Sequence, residues 1–234
     1  MGNLFHAYIY EPVFAVLVWI YQVVPPHDLG VSIILLTFVV RIVLLPLFWK
    51  SAKDQSILQM LQPKVKEVQE NHKGDREAQG RALIALYREH RVNPLSGIFF
   101  LILQLPVFIA LFQIFTRELT NAAFDSTVFL GLINLEEKSI VLAILAAGLQ
   151  YFQARLMPTF GTSKTNGTNK FDSAKMTKLF GLVVGPAITL VILTSLPSAL
   201  GLYWVTSTIF SIGQQLVINK TIKRELPKEI TASH

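Results

Sequence analysis

Leu29-Gly-Val-Ser-Ile-Ile-Leu-Leu-Thr-Phe-Val-Val-Arg41-Ile-Val-Leu-Leu-Pro46-Leu-Phe-Trp49 is an apolar run interrupted by one formal charge, at Arg41. At about 1.5 Å per residue, a helix of this length covers the roughly 30 Å of a bilayer's hydrocarbon core. The stretch therefore reads as a transmembrane helix. The composition agrees: of 234 residues 52% are hydrophobic and 15% charged, with a mean hydropathy of +0.48, too apolar for a soluble domain of this size. Residues 95–115, 139–156 and 199–218 qualify by the same measure. A fifth stretch, 179–196, is shorter but uncharged, and its Gly185-Pro186 predicts a kink that neighbouring helices must cover. The expected architecture is an all-α membrane protein with five transmembrane helices.

Working outward, residues 8–24 hold a shorter apolar run, Val13–Val24, preceded by Glu11-Pro12 and ended by Pro25-Pro26, with Tyr8, Tyr10, Trp19 and Tyr21 giving the segment the aromatic character of a membrane boundary. An interfacial helix is expected there, with a sixth span as the alternative. Between the first two spans, from Lys50 to Arg91, stand nine Lys and Arg residues. More follow between the third and fourth spans and after the fifth, whereas the opposite side holds only Arg117 and Lys138. An odd span count puts all three basic segments on one side, and the positive-inside rule makes that side the cytoplasm. The N-terminus is then outside and the C-terminus inside.

Segment 51–93 carries Leu58, Leu61, Val65 and Val68 at helical spacing, and Leu83, Leu86 and Tyr87 repeat the pattern beyond Gly74. This predicts a cytoplasmic helical hairpin turning near 71–75. Its apolar stripe packs the two helices together, or else forms a face for a binding partner. Residues 159–175, rich in Thr, Ser, Asn, Gly and Lys, read as a flexible cytoplasmic loop, and 219–234 as a cytoplasmic tail. Met1–Tyr10 has no Lys or Arg ahead of its apolar run, unlike a signal peptide.

Arg41 lies eight residues before Trp49, about 12 Å along a helix and so inside the cytoplasmic half of the hydrocarbon. Insertion scales put the cost of such a group near 2.5–3.5 kcal/mol. Two readings remain open. The side chain snorkels to the headgroups, or it sits in a hydrated cavity lined by neutral polar residues. Thr37, one turn away, Gln104, Gln150, Gln153, Thr206, Ser207, Ser211, Gln214 and Gln215 are candidates for that lining. Other chemistries fall away. The chain has no cysteine, and its five histidines all lie outside the spans, which excludes thiolate chemistry and leaves no support for an intramembrane histidine-assisted hydrolase or metal site. Arginine stays protonated and cannot readily act as a base, and no phosphate-cradling glycine loop is present. Neither an enzyme nor a cofactor is expected. A small transporter or channel for an anionic solute, with Arg41 as ligand, is the alternative function.

Several segments in order resemble the YidC, Oxa and Albino family of membrane protein insertases. Gly30 to Arg41 with Leu45-Pro46-Leu47 is similar to the family's first core span and its groove arginine. Met60-Leu-Gln-Pro-Lys64, Ala85-Leu-Tyr87 and Val92-Asn-Pro-Leu95 resemble its cytoplasmic hairpin. Gln104-Leu-Pro-Val-Phe108, and Gly201-Leu-Tyr203-Trp204 with Gln214-Gln215, resemble its second and fifth spans. Phe100 stands where many relatives have a further proline, and no counterpart of the large extracytoplasmic domain or long basic tail of some members is expected within these 234 residues. The resemblance implies a non-enzymatic insertase and chaperone of the bacterial plasma membrane. Arg41 would lie in a hydrophilic groove open to the cytoplasm, with Tyr203 and Trp204 among its lining residues. Partners implied are nascent membrane-protein clients and membrane lipids; a Sec translocon and the ribosome are admitted, and no direct nucleic-acid specificity is implied.

Overall fold

The computed structural model describes residues 2–118, 124–156 and 179–225. The loop expected over 159–175 and the end of the tail beyond Glu225 lie outside the described residues. The chain opens with α1 (Gly2–Phe5), a π-helical turn (His6–Tyr10) and α2 (Glu11–Val23). Then come α3 (Leu29–Val43), α4 (Leu45–Met60), α5 (Gln62–Asn71), α6 (Arg76–Glu89) and α7 (Ser96–Arg117). Strands β1 (Val128–Phe129) and β2 (Ile133–Asn134) precede α8 (Ile140–Leu156), a π-helical segment (Phe180–Val184), α9 (Gly185–Leu193) and α10 (Ser198–Glu225).

The stretch 29–49 is not one helix. It breaks at Leu44, where α3 and α4 meet at 71°. Pro46 supplies no amide hydrogen and disfavours a helical conformation at Leu45, so the chain tightens at Leu44 (φ −88°, ψ 0°) before α4 restarts. Among the described residues no single helix is long and apolar enough to cross a membrane; α3 and α4 pass that test together as a bent pair. Gly185-Pro186 acts similarly, with the π-helical turn just before Pro186 accommodating the missing donor at the start of α9. By contrast α7 runs unbroken through Pro106.

Helices α8 and α10 start at the same end of the bundle and run parallel. A Cβ at Gly201 would lie 3.1 Å from that of Leu142, so the glycine allows the two backbones to come close. Ala143, Ala146, Leu142, Leu200 and Leu202 are buried in the same core, which Leu29, Ile33 and Leu36 of α3 and Leu111 and Ile114 of α7 complete.

The all-helical expectation needs one correction, because β1 and β2 pair antiparallel, Val128 with Asn134 and Phe129 with Ile133. Leu130 (φ 50°) and Gly131 (φ 71°) form their turn, closed by Leu132 N–H donating to the Phe129 carbonyl at 2.9 Å. This hairpin caps two helix starts. Asp28, the N-cap of α3, accepts from Val31 N–H at 3.0 Å through one oxygen and from Leu130 N–H at 2.7 Å through the other. Beyond β2, the carbonyls of Glu137 and Leu135 accept from the amides of Ser198 and Ala199, which head α10. Tyr10 donates to Glu118 at 3.0 Å; burial, then that carboxylate, push its phenol up to about 12. The same end of the bundle holds Gly30, where an added Cβ would come within 2.8 Å of the Phe129 Cβ and overlap its ring. Gly30→Ala is expected to lower stability by about 1–3 kcal/mol through overpacking, read as a fall in Tm of the detergent-solubilised protein.

At the other end, α5 and α6 join through His72–Asp75, with Gly74 at φ +99° and Asp75 capping α6 by accepting from Glu77 and Ala78 N–H. Val65 and Leu86 are the buried residues of the two helices. The lower part of α4 is bonded to the bundle: Ser51 Oγ donates to the Ser96 carbonyl at 2.5 Å, and Ser56 accepts from Gln215 Nε2 at 3.0 Å. Asp54 accepts from the Asn93 backbone; burial pushes its carboxyl above the usual range, partly offset by that N–H, Lys50 and Lys53.

Candidate functional site

Arg41 is buried, 6% exposed, one turn above the break in the bent pair. Its Nε donates to Ser207 Oγ of α10 at 3.1 Å, and Nη2 donates to the same oxygen. The ring of Phe48, on α4, lies against the guanidinium with its centroid 4.8 Å from Cζ. Nη1 is buried and has no hydrogen-bond partner among the described residues. No carboxylate among the described residues pairs with Arg41. The side chain thus turns into the bundle. An unneutralised charge in this setting is costly, and an unpartnered donor adds to that cost, so a water or an anionic or carbonyl group at Nη1 would be strongly favoured.

Around this pair the expected lining separates into two sets. Ser211 donates to the Ser207 carbonyl at 2.9 Å, placing both hydroxyls on one face of α10. Tyr203, one turn before Ser207, accepts at its hydroxyl from Gln104 Nε2, which ties α7 to α10. Trp204 meets Phe108 of α7 edge-on, centroids 5.7 Å apart. Thr37 is buried, but its hydroxyl donates to the Ile33 carbonyl at 2.6 Å, within its own helix. Gln150, Gln153 and Gln214 are half-buried, and none of them bonds Arg41 or Ser207. Gln150 does present a buried Oε1 with no partner among the described residues.

Two features fall outside the sequence reading. Phe48 is one: seven residues from Arg41, it would share a face with it on a continuous helix, a spacing that could have pointed to it. The other is a polar junction at the end of the bundle nearest α5 and α6, where Gln215 Nε2 donates to Ser56 Oγ and to Asn219 Oδ1 at 2.8 Å, and Asn219 Nδ2 donates to the Leu156 carbonyl at 2.8 Å. It joins α4, α8 and α10. Buried amides and hydroxyls clustered near the end of a span are the only sequence signal for it.

Outside these contacts the helices carry large exposed apolar side chains. Val39, Ile42 and Val43 on α3, Ile102 and Ile109 on α7, Val141 and Ile144 on α8, and Ile188 and Val191 on α9 are all exposed. So broad an apolar exterior suits lipid and not water.

Residues 19–225 match the family described as 60Kd inner membrane protein. Three similar relatives bear the name membrane protein insertase YidC. That of Wolinella succinogenes is 33% identical over 213 residues, covering 91% of this chain and 37% of the relative. That of Helicobacter pylori strain 26695 is 32% identical over 213 residues, 91% and 36%. That of Magnetococcus marinus is 33% identical over 223 residues, 94% and 37%. The chain therefore spans a little over a third of the length of these curated relatives.

Proposed function

The chain belongs to the 60Kd inner membrane protein family, whose members include the relatives named membrane protein insertase YidC, and on that premise we propose that it inserts nascent membrane proteins into the bilayer. The observation that carries the reading is Arg41: a buried cation, held by a serine hydroxyl, whose Nη1 has no hydrogen-bond partner and which pairs with no carboxylate among the described residues. The short hydrophilic end of a client is drawn toward this charge, which shortens the hydrophobic distance it has to cross. Its apolar segment then moves out along the exposed faces of α7 and α9 into lipid. Transfer of apolar surface, helped by the membrane potential, drives the step without ATP.

In this reading the five spans are α3 with the first turn of α4, then α7, α8, the π-helical segment with α9, and α10. The N-terminus is outside and α5–α6 is cytoplasmic, supported by the distribution of Lys and Arg. Gln104, Tyr203, Trp204, Ser207 and Ser211 line the client's path. Gln150, Gln153, Gln214 and Thr37 contribute polarity beside it.

A photocrosslinking side chain at position 104, in the full chain, tests this against a ribosome-stalled membrane-protein client. Adducts from 104, and none from the lipid-facing position 141, are expected. Equal yields from both positions, or none from 104, would overturn the proposal.

A further inference from the structure

The guanidinium that the proposed function assigns to clients is covered. Arg41 is 6% exposed and Phe48, whose ring covers it, 1% exposed. These two residues stand on opposite sides of the break at Leu44, so their contact depends on the angle between α3 and α4. The rest of α4 is one helix through Met60, and among the contacts that seat it on the bundle are two buried side-chain hydrogen bonds, Ser51 to the Ser96 carbonyl and Gln215 to Ser56, beside the Asp54 bond to the Asn93 backbone and the packing of Met60 on Ile218. Both side-chain bonds are between neutral groups, each contributing only modestly net of solvation, and a swing of α4 that opens them to water lets solvent replace the lost partners.

We propose that Phe48 is a movable cap on Arg41, and that α4 is its lever, swinging about Leu44–Pro46 to uncover the guanidinium for an acidic client end. Phe48 is a positioning residue here: it decides when the charge is available. The lever leads through Leu61 directly into α5, so whatever binds the cytoplasmic hairpin bears on the cap. This inference rests on the reading of Arg41 as the charge that clients meet.

Two measurements on the full chain in vesicles of phosphatidylethanolamine and phosphatidylglycerol separate the cap from that reading. The first, without client, is modification of Arg41 by phenylglyoxal, followed by peptide mass spectrometry. If the uncapped state is populated at about a tenth, Phe48→Ala raises modification roughly tenfold. The paired variant Ser51→Ala with Ser56→Ala, which keeps the ring but frees the lever, also raises it. The second is the ratio of insertion rates for clients identical except for acidic or neutral translocated ends. It rises in Phe48→Ala, and it falls when Ser51→Cys and Ser96→Cys are oxidised to pin α4, recovering on reduction. The chain's lack of native cysteine makes that pair unambiguous. Unchanged modification of Arg41 in both Phe48→Ala and the paired serine variant would overturn the cap. Raised modification with an insertion ratio that Arg41→Ala leaves unaltered would sustain the cap and defeat the client reading instead.

Discussion

Replacing residues 62–89 with a short flexible linker is expected to cut client insertion strongly, up to the roughly hundredfold that losing a tethered capture site can remove, while leaving the helical bundle folded. Helices α5 and α6 bury little besides Val65 and Leu86. Removing them therefore strips few contacts from the rest. The cut has to start after α4. A deletion beginning at Ser56 would take away the Gln215 bond and the packing of Met60 on Ile218, and so would loosen the bundle itself. Tm in detergent, unchanged within a degree or two, together with insertion into vesicles reads the two effects separately. Full activity of the deleted chain would remove the hairpin from the mechanism.

Much of the helical order is legible in the sequence because its signals are local. Apolar runs at 95–115 and 139–156 need only length and composition, and the hairpin needs only the recurrence of Leu61, Val65 and Val68. The break at Leu44 is hidden for the opposite reason. Hydropathy sums straight across Pro46, since the missing N–H of proline has no hydropathy of its own. The β-hairpin is invisible to alternation because its strands are two residues each, and the Leu130-Gly131 turn asks an unusual backbone conformation of a leucine.

The site is harder to read, since a list of polar residues inside spans does not say which of them face one another. Thr37 has the right spacing from Arg41, yet a helical threonine has a closer acceptor in the carbonyl four residues back, and Ile33 supplies it. Ser207, 166 residues away along the chain, becomes the partner because α10 packs on α3, a long-range outcome that periodicity does not encode. Phe48 is missed because apolar neighbours surround it in sequence, and only its approach to a buried cation sets it apart.

Arg41→Ala is expected to slow insertion of clients with acidic translocated ends by roughly thirtyfold. Two unit charges about 8 Å apart at an effective dielectric near 20 interact by about 2 kcal/mol, which is that factor in rate. Neutral-ended clients lose much less. Arg41→Lys retains most of the activity, because a compact ammonium keeps the charge and can still donate to Ser207, giving up only the planar contact with Phe48. Insertion of matched clients into proteoliposomes, differing only in acidic residues at the translocated end, measures this directly. The account predicts that Arg41→Ala reduces the acidic-to-neutral rate ratio toward one while Arg41→Lys preserves it; equal slowing of both clients by Arg41→Ala would contradict it.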